Sequence, residues 1–369
     1  MGWEKGHEVL LALALSEALP FRAVIELVRS RTFEEMGRAG AIELARCLGL
    51  KDEALEAVKG ACDKAAEILR TLPPGQVRAV AFNEHTYPAL LKEIASPPAL
   101  LFYRGTLSRS DERAVALVGS RKPSLAGVEI ARKLAADLAA AGITVVSGLA
   151  RGIDTAAHLG ALEAGGRTIA VLGSGIDVIY PPENIGVAEL IASRGAVVSE
   201  LVPGAPPVRG NFPRRNRLIS GLALGTVVVE AGIGSGALIT ADFALDQNRA
   251  VFAVPGTPGY ARSRGTNGLI KQGAKLVETA DDILEDLGAG LERFSALAGT
   301  EPLLGLLSEP TPDEARIIEL LSDGPIHVDE ISRHLGMEAG LVLGLLLSME
   351  TKGLARSLPG KFYVGGSVR

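Results

Sequence analysis

The sequence has little of several features that would assign a protein to a class. Of its 369 residues, two are cysteine, one is tryptophan and 4% are aromatic, and no apolar run has the length of a membrane span. The cysteines, Cys47 and Cys62, lie in helix-like surroundings without a C-x-x-C pair or a nearby histidine. We therefore expect buried free thiols in a reducing compartment, and neither a disulfide framework nor a metal site.

An excess of positive charge is also absent. The chain has 38 lysines and arginines against 43 acidic residues, a formal net charge of −5. A surface that is basic throughout is thereby excluded, so any nucleic-acid site must be a local patch. The apolar run Val9–Leu15 is preceded by Glu4 and Glu8, which do not fit the basic start of a signal peptide. We expect a cytoplasmic protein of two or three domains.

Two patterns of apolar residues divide most of the chain. Over residues 1–72 they recur at helical spacing, which predicts a small helical domain of the SAM or helix-hairpin-helix kind. Over 77–287, short continuous apolar runs alternate with helical stretches. Continuous apolar runs indicate strands buried on both faces, so we predict a Rossmann-like, doubly wound, mostly parallel α/β sheet. The predicted strands are 99–103, 114–118, 143–146, 168–172, 196–198, 226–229 and 250–254.

The remainder predicts a glycine- and proline-rich linker over 288–312 and a winged-helix domain over 313–369. The candidate recognition helix of that domain, Leu341–Met349, contains no lysine or arginine. A helix that enters the major groove needs contacts to phosphates and base edges. We therefore expect this helix to pack against its own core or a protein partner.

One segment concentrates arginine without any acidic residue. Arg209–Gly221 has the sequence RGNFPRRNRLISG, in which Phe212 stands among four arginines. Guanidinium groups fit phosphate oxygens, and an aromatic ring offers a face to a base. A solvated basic turn is the alternative explanation.

Glycine-rich loops follow five of the predicted strands. Since the carboxyl ends of parallel strands meet at one edge, these loops should form a shelf whose backbone N–H groups bind anions. Arg121 and Arg151 belong to the same edge. No third glycine follows Gly173 and Gly175, and no Walker lysine follows any loop, which disfavours NAD and ATP sites.

A catalytic set is not evident among these loops, because their serines have no plausible base. His158 stands at helical spacing from Asp154, and we interpret it as a packing or capping residue. Glu200 and Glu230 end strands and could hold the loops in place. We expect neither enzymatic activity nor a cofactor.

Five segments carry motifs in a consistent order: Ser147–His158, Ile169–Pro181, Asn211–Gly221, Val229–Ala241 and Phe252–Gly256. Taken together, they resemble the DNA-processing protein A (DprA/Smf) family over about residues 77–287. The resemblance implies a bacterial protein that binds single-stranded DNA, protects incoming DNA in natural transformation and loads the RecA recombinase while relieving single-strand-binding protein. It also implies a homodimer formed through the Rossmann-like domain.

The resemblance also implies which residues would contact DNA. Lys271 could equally be a solvated helix residue, and Arg209 lies outside the matched motif. The implied set is Arg121, Ser147, Gly148, Arg151, Gly152, Phe212, Arg214, Arg215, Asn216, Arg217, Gly234, Ser235, Gly236 and Lys271.

Two other functions stay open. Nucleoside-monophosphate phosphoribohydrolases place a glycine loop on a similar sheet, followed closely by two glutamates. Here Gly232–Gly236 is followed by Ala237–Ile239, so the carboxylate that would stabilise an oxocarbenium-like centre is missing. A nucleotide-sensing module would keep the phosphate shelf without needing Phe212.

Overall fold

The structure is a computed structural model that describes residues 4–16, 18–19, 21–73, 75–297, 312–321, 324–337, 339–351, 355–358 and 360–365. It divides into two compact units, Met1–Phe294 and Ser295–Arg369. The helical start of the chain and the predicted sheet therefore belong to one unit.

The helical start covers one face of the sheet. Buried residues of its helices, such as Leu10 and Leu44, form one hydrophobic core with Leu172 and Val197 of the sheet region. Before the third helix, the Thr32 hydroxyl accepts from the Glu35 N–H, and the Glu35 carboxylate accepts from the Thr32 N–H. The four helices are α1 (Lys5–Leu15), α2 (Phe21–Ser30), α3 (Phe33–Cys47) and α4 (Asp52–Thr71).

Within the described residues, nine strands form a sheet of order β1-β2-β6-β5-β4-β3-β7-β8-β9. All neighbours from β6 to β9 in that order pair in parallel, while β2 is antiparallel to both β1 and β6. The predicted doubly wound, mostly parallel fold is confirmed; β1 and β9 were not predicted. The strands are β1 (Arg78–Ala81), β2 (Leu100–Gly105), β3 (Ala114–Val118), β4 (Thr144–Ser147), β5 (Thr168–Val171), β6 (Ala196–Ser199), β7 (Gly225–Val228), β8 (Ala250–Ala253) and β9 (Lys275–Leu276).

Helices cover both faces of this sheet because its strands are apolar on both sides. The strand order reverses at β3, which lies between β4 and β7, and a crevice opens beyond the carboxyl ends at such a switch point. The helices are α5 (Ala89–Lys92), α6 (Leu125–Ala140), α7 (Ile153–Glu163), α8 (Ile185–Arg194), α9 (Asn211–Gly221), α10 (Gly236–Asp246), α11 (Arg264–Lys271) and α12 (Ala280–Leu297).

The second unit has the predicted winged-helix order, which is confirmed. Its third helix buries Val342, Leu346 and Met349. Helix α12 runs to Leu297, so the predicted linker is helical where it begins, and its residues 298–311 lie outside the described ranges. The elements are α13 (Pro312–Leu321), β10 (Ile326–His327), α14 (Val328–Leu335), α15 (Ala339–Thr351), β11 (Ala355–Leu358) and β12 (Phe362–Gly365).

The cysteines differ from expectation in their burial. Both thiols are free, but Cys47 is exposed, and Cys62 is only partly buried where it packs against the hydrophobic core. No helix in the described ranges is long and apolar enough to cross a membrane. The same residues contain no group of three or more histidine, cysteine or acidic side chains placed to hold a metal ion.

Candidate nucleic-acid interface

An open groove with a volume of about 1000 Å³ lies at the carboxyl ends of β3 and β7. Its walls are the loop Gly119–Lys122 after β3, the loop Gly232–Gly236 after β7, and the first turns of α9. Tyr180, Arg209 and Arg262 also line it. The groove thus occupies the switch point of the sheet.

Glu230, at the end of β7, fixes two walls of this groove. Its carbonyl accepts from the Ser120 N–H at 2.7 Å, and its carboxylate accepts from the Ser124 hydroxyl at 2.6 Å. The Ser124 oxygen in turn accepts from the Gly127 N–H at the start of α6. The sequence-based hypothesis that Glu230 holds these loops is confirmed.

Exposed cations surround the groove. Arg121, Lys122, Arg209 and Arg262 all line it, and of these the Arg262 Nε lies 3.8 Å from a Glu230 carboxylate oxygen. Among the described lining residues Asp154 is the sole carboxylate, and it is buried. The groove therefore presents a positive surface on an otherwise acidic protein.

An aromatic pair lies in the middle of these cations. The rings of Phe212 and Tyr180 have centroids 5.7 Å apart at an interplanar angle of 47°. The Arg121 guanidinium lies 5.2 Å from the Phe212 centroid. A Cβ at Gly173 would lie 2.8 Å from the Phe212 ring, so glycine allows the ring to lie against that loop. The arrangement offers stacking faces beside guanidinium groups.

Most of the arginine-rich segment is helix α9, and the four arginines of the segment differ in exposure. Arg215 is only 4% exposed, and its Nη1 donates to the carbonyl oxygens of Gly148, at 2.6 Å, and of Val171. Burial lowers the pKa of Arg215 to about 10, so it remains a cation at neutral pH, opposite buried Asp154. Arg215 therefore joins the ends of β4 and β5, and it lines the groove as a nearly buried cation whose guanidinium already has partners inside the protein.

Three other predicted contacts are also directed inward. Arg217 is buried, and its guanidinium donates to the Glu200 carboxylate and the Ser96 carbonyl. The Ser147 hydroxyl donates to the Leu117 carbonyl at 2.6 Å, and the Asn216 amide donates to the Gly236 carbonyl at 3.1 Å. For Arg217 and Asn216 the cause is helical geometry, because α9 must bury the face that bears its apolar residues. Arg217 and Ser147 do not line the groove, whereas Asn216 lines it while its amide holds the Gly236 carbonyl.

The glycines and Ser235 shape backbone. Gly148 is buried beneath Arg215, so its side of the loop is closed to ligand. Gly152 has φ of +81°, and a Cβ there would collide with the Ser120 carbonyl, so only glycine joins the two loops. Gly234, Ser235 and Gly236 do line the groove, and the Ser235 hydroxyl accepts from the Ala237 N–H at the start of α10.

Three predicted cations are exposed but lie outside the groove lining. Arg151 forms an ion pair with Glu183, which raises its pKa. Arg214 lies 3.5 Å from the Glu200 carboxylate. Lys271 lines a separate depression beside α11. Glu200 binds both Arg214 and Arg217, as expected of a residue that holds this region together.

Sequence reasoning missed Lys122, Tyr180 and Arg262. Lys122 directly follows Arg121 in the sequence, so it could have been predicted to line the same loop. Tyr180 lies within a matched segment, but nothing in its neighbours indicated an aromatic pair with Phe212. Arg262 comes from a distant loop, and only the fold brings it to the groove.

His158 provides a test of the buried layer beneath the groove. It is fully buried, with Nδ1 2.7 Å from the Thr168 hydroxyl, and burial lowers its pKa to about 3. As the pH falls, His158 is protonated in the unfolded state at a higher pH than in the folded state. The free energy of unfolding must therefore fall as the pH drops from about 6.5 toward 3. Between pH 6.5 and 5 this group should cost about 2 kcal/mol.

His158→Gln removes this titration. We expect urea unfolding to show a smaller loss of stability for the variant than for the parent over that interval. Equal losses in the two proteins would contradict the buried, neutral state of His158.

Comparison with known proteins places the chain in a defined group. The family profile for DNA recombination-mediator protein A matches residues 78–288, and the DprA winged helix domain profile matches residues 302–361. Protein Smf of Escherichia coli is 40% identical over 281 residues, covering 75% of this chain and 74% of that protein. DNA processing protein DprA of Streptococcus pneumoniae is 46% identical over 200 residues, covering 54% and 71%.

Two solved structures of DNA processing protein A are also similar to this chain. The X-ray structure of the Streptococcus pneumoniae protein matches with a TM-score of 0.66 and 34% identity, covering 77% of this chain and 98% of that chain. DNA processing protein A of Helicobacter pylori, whose structure is described for its single-stranded DNA binding mode, matches with a TM-score of 0.53 and 29% identity. The match covers 58% of this chain and 97% of that one.

Proposed function

This chain belongs to the DNA recombination-mediator protein A family, and we propose that it binds single-stranded DNA along the groove at the carboxyl ends of β3 and β7. The family resemblance noted from the sequence is confirmed. The observation that supports the proposal is Phe212, a partly exposed ring with Tyr180 and the Arg121 guanidinium beside it. Such a ring can stack on an unpaired base, whereas a base inside a duplex has no free face.

Backbone N–H groups and exposed cations both contact the phosphates of the strand. The loop Gly232–Gly236 leads into α10, whose first N–H groups and dipole favour an anion. Arg121, Lys122, Arg209 and Arg262 neutralise neighbouring phosphates. The buried pair Arg215 and Asp154 keeps the ends of β4 and β5 in position.

The groove gives an expected salt dependence. If its four exposed cations each neutralise one phosphate, the plot of log affinity against log salt has a slope of about −3, since single strands give about −0.7 per phosphate. A titration of labelled oligo-dT at several salt concentrations measures it. The same titration with a duplex should show weak binding. A slope near zero, or equal affinity for the duplex, would contradict the proposal.

We infer that the protein acts in the cytoplasm as a homodimer, associated through its sheet domain. It protects incoming DNA in natural transformation and loads RecA onto strands covered by single-strand-binding protein. Helix α15 contains no basic residue, which supports a protein-packing role for the winged helix over duplex recognition. RecA filament formation on pre-coated strands, with and without this protein, tests the loading step.

Turnover of a nucleotide is not part of the proposal. Asp154, the carboxylate among the described groove residues, is buried behind the loops and held opposite Arg215. Incubation with AMP is expected to release no free adenine.

A further inference from the structure

A second cationic cleft, which we call the N-terminal cleft, lies where the end of α2 meets the residues after β1. It has a volume of about 420 Å³ and shares no lining residue with the groove. Arg29 in the last turn of α2, Arg31 just after it, Phe82 after β1, and Lys92 of α5 are among its lining residues. Neither the motifs nor the proposed groove account for this cluster.

Phe82 lies close to two of these cations. The Arg29 guanidinium is 5.5 Å from its ring centroid and the Lys92 ammonium is 5.8 Å from it. The face of an aromatic ring attracts a cation, and such a face can also stack on a base.

The cations of the cleft differ from many other arginines of the protein because no carboxylate of the described residues forms an ion pair with them. Arg132, for example, is paired with Glu163. Among the ion pairs formed by the described residues, none involves Arg29, Arg31 or Lys92. Glu35 also lines the cleft, and its carboxylate is held at α3 by the Thr32 N–H at 2.7 Å, but the three cations outnumber this one negative charge. The cleft therefore retains positive charge that can attract an anionic ligand.

The topology places the N-terminal cleft on the same edge of the sheet as the groove. Strand β1 is antiparallel to β2, which is antiparallel to β6, so β1 runs in the direction of the parallel strands. Its carboxyl end, just before Phe82, lies at the edge where the groove opens. Five strand spacings separate β1 from β3 in the order β1-β2-β6-β5-β4-β3, or about 24 Å at about 4.8 Å each.

An exposed cation also lies between the two sites in strand order. Arg214, outside the groove lining, is beside Glu200 directly after β6. Strand β6 stands between β1 and β3 in the sheet. A continuous single strand would meet cations at the groove, near β6 and at the cleft.

We propose that the N-terminal cleft binds a second segment of the same single strand, with phosphates on Arg29, Arg31 and Lys92 and a base against Phe82. This inference rests on the proposed function of the groove. The alternation of cations and an aromatic ring matches the alternation of phosphates and bases. At about 3.4 Å per nucleotide, the spacing along a stacked strand, 24 Å corresponds to about seven nucleotides, so a stacked strand shorter than this reaches one site only.

The test compares strand lengths. Fluorescently labelled oligo-dT of about 5 and about 20 nucleotides is titrated with the full chain and with Arg29→Ala/Arg31→Ala. We expect the variant to bind the long strand about tenfold more weakly, with a salt slope shallower by about 1.4, since two phosphate contacts are lost at about 0.7 each. Binding of the short strand should not change.

A matched variant, Arg46→Ala/Lys51→Ala, removes the same charge from exposed residues of the helical start that do not line the cleft. It should bind both strands like the parent. Unchanged binding of the long strand by Arg29→Ala/Arg31→Ala would overturn the cleft, as would equal weakening for both lengths. Failure of the parent to bind the short strand would instead overturn the proposed function of the groove.

Discussion

Replacing Arg121 and Phe212 together by alanine is expected to weaken binding of single-stranded DNA a hundredfold or more. Loss of one stacked base costs about 1–3 kcal/mol, and loss of the guanidinium removes a phosphate contact as well. Together these reach about 3 kcal/mol, which is a factor of about a hundred in affinity. Both side chains line the groove and neither is fully buried, so the fold should persist.

The protein contains a matched control for this variant. Arg78 lies 5.0 Å from the ring of Tyr103, which makes it another arginine–aromatic pair. Arg78 begins β1, so the pair lies toward the opposite edge of the sheet from the groove. Arg78→Ala/Tyr103→Ala should retain the parent's affinity for oligo-dT. Equal affinities of the two double variants would show that the groove does not bind the strand.

Arg215→Ala is expected to destabilise the first unit by about 3–5 kcal/mol, because it leaves Asp154 buried without its opposite charge and the Gly148 carbonyl without a donor. The adjacent Arg214→Ala should cost less than about 1 kcal/mol, since Arg214 is exposed and its ion pair is partly solvated. Urea unfolding of the two variants measures both values. A similar small loss in each would contradict the supporting role of Arg215.

A variant that removes both buried charges sharpens this result. Arg215→Met/Asp154→Asn should regain part of the stability lost in Arg215→Ala, because no unpaired charge remains inside the protein. A triple replacement of Arg214, Arg215 and Arg217 is therefore not a suitable test of DNA binding. Arg215 and Arg217 are buried, so the variant would lose stability and a loss of binding would not report on contacts to DNA.

The apolar pattern of the sequence was sufficient to predict the fold class. Seven strands were found within two residues of their positions, because strands buried on both faces leave continuous apolar runs that solvent-exposed segments do not. The missed strands, β1 and β9, lie at the two ends of the sheet. There a strand has one neighbour and is less buried, so its sequence carries a weaker signal. Helix α9 was missed because its arginines concealed the apolar face formed by Leu218, Ile219 and Leu222.

The position of the candidate site could be predicted from the sequence, but the role of each side chain could not. The sequence by itself determined that glycine-rich loops, arginines and one aromatic residue would meet at the carboxyl edge of a parallel sheet, because topology brings strand ends together. Only the tertiary structure decided which arginines face solvent. Arg214 and Arg215 are neighbours of one chemical type, yet the helix turns one outward and one into the protein. Burial, which converts a potential ligand into a structural cation, depends on packing partners that are distant in sequence, such as Gly148 and Asp154 for Arg215.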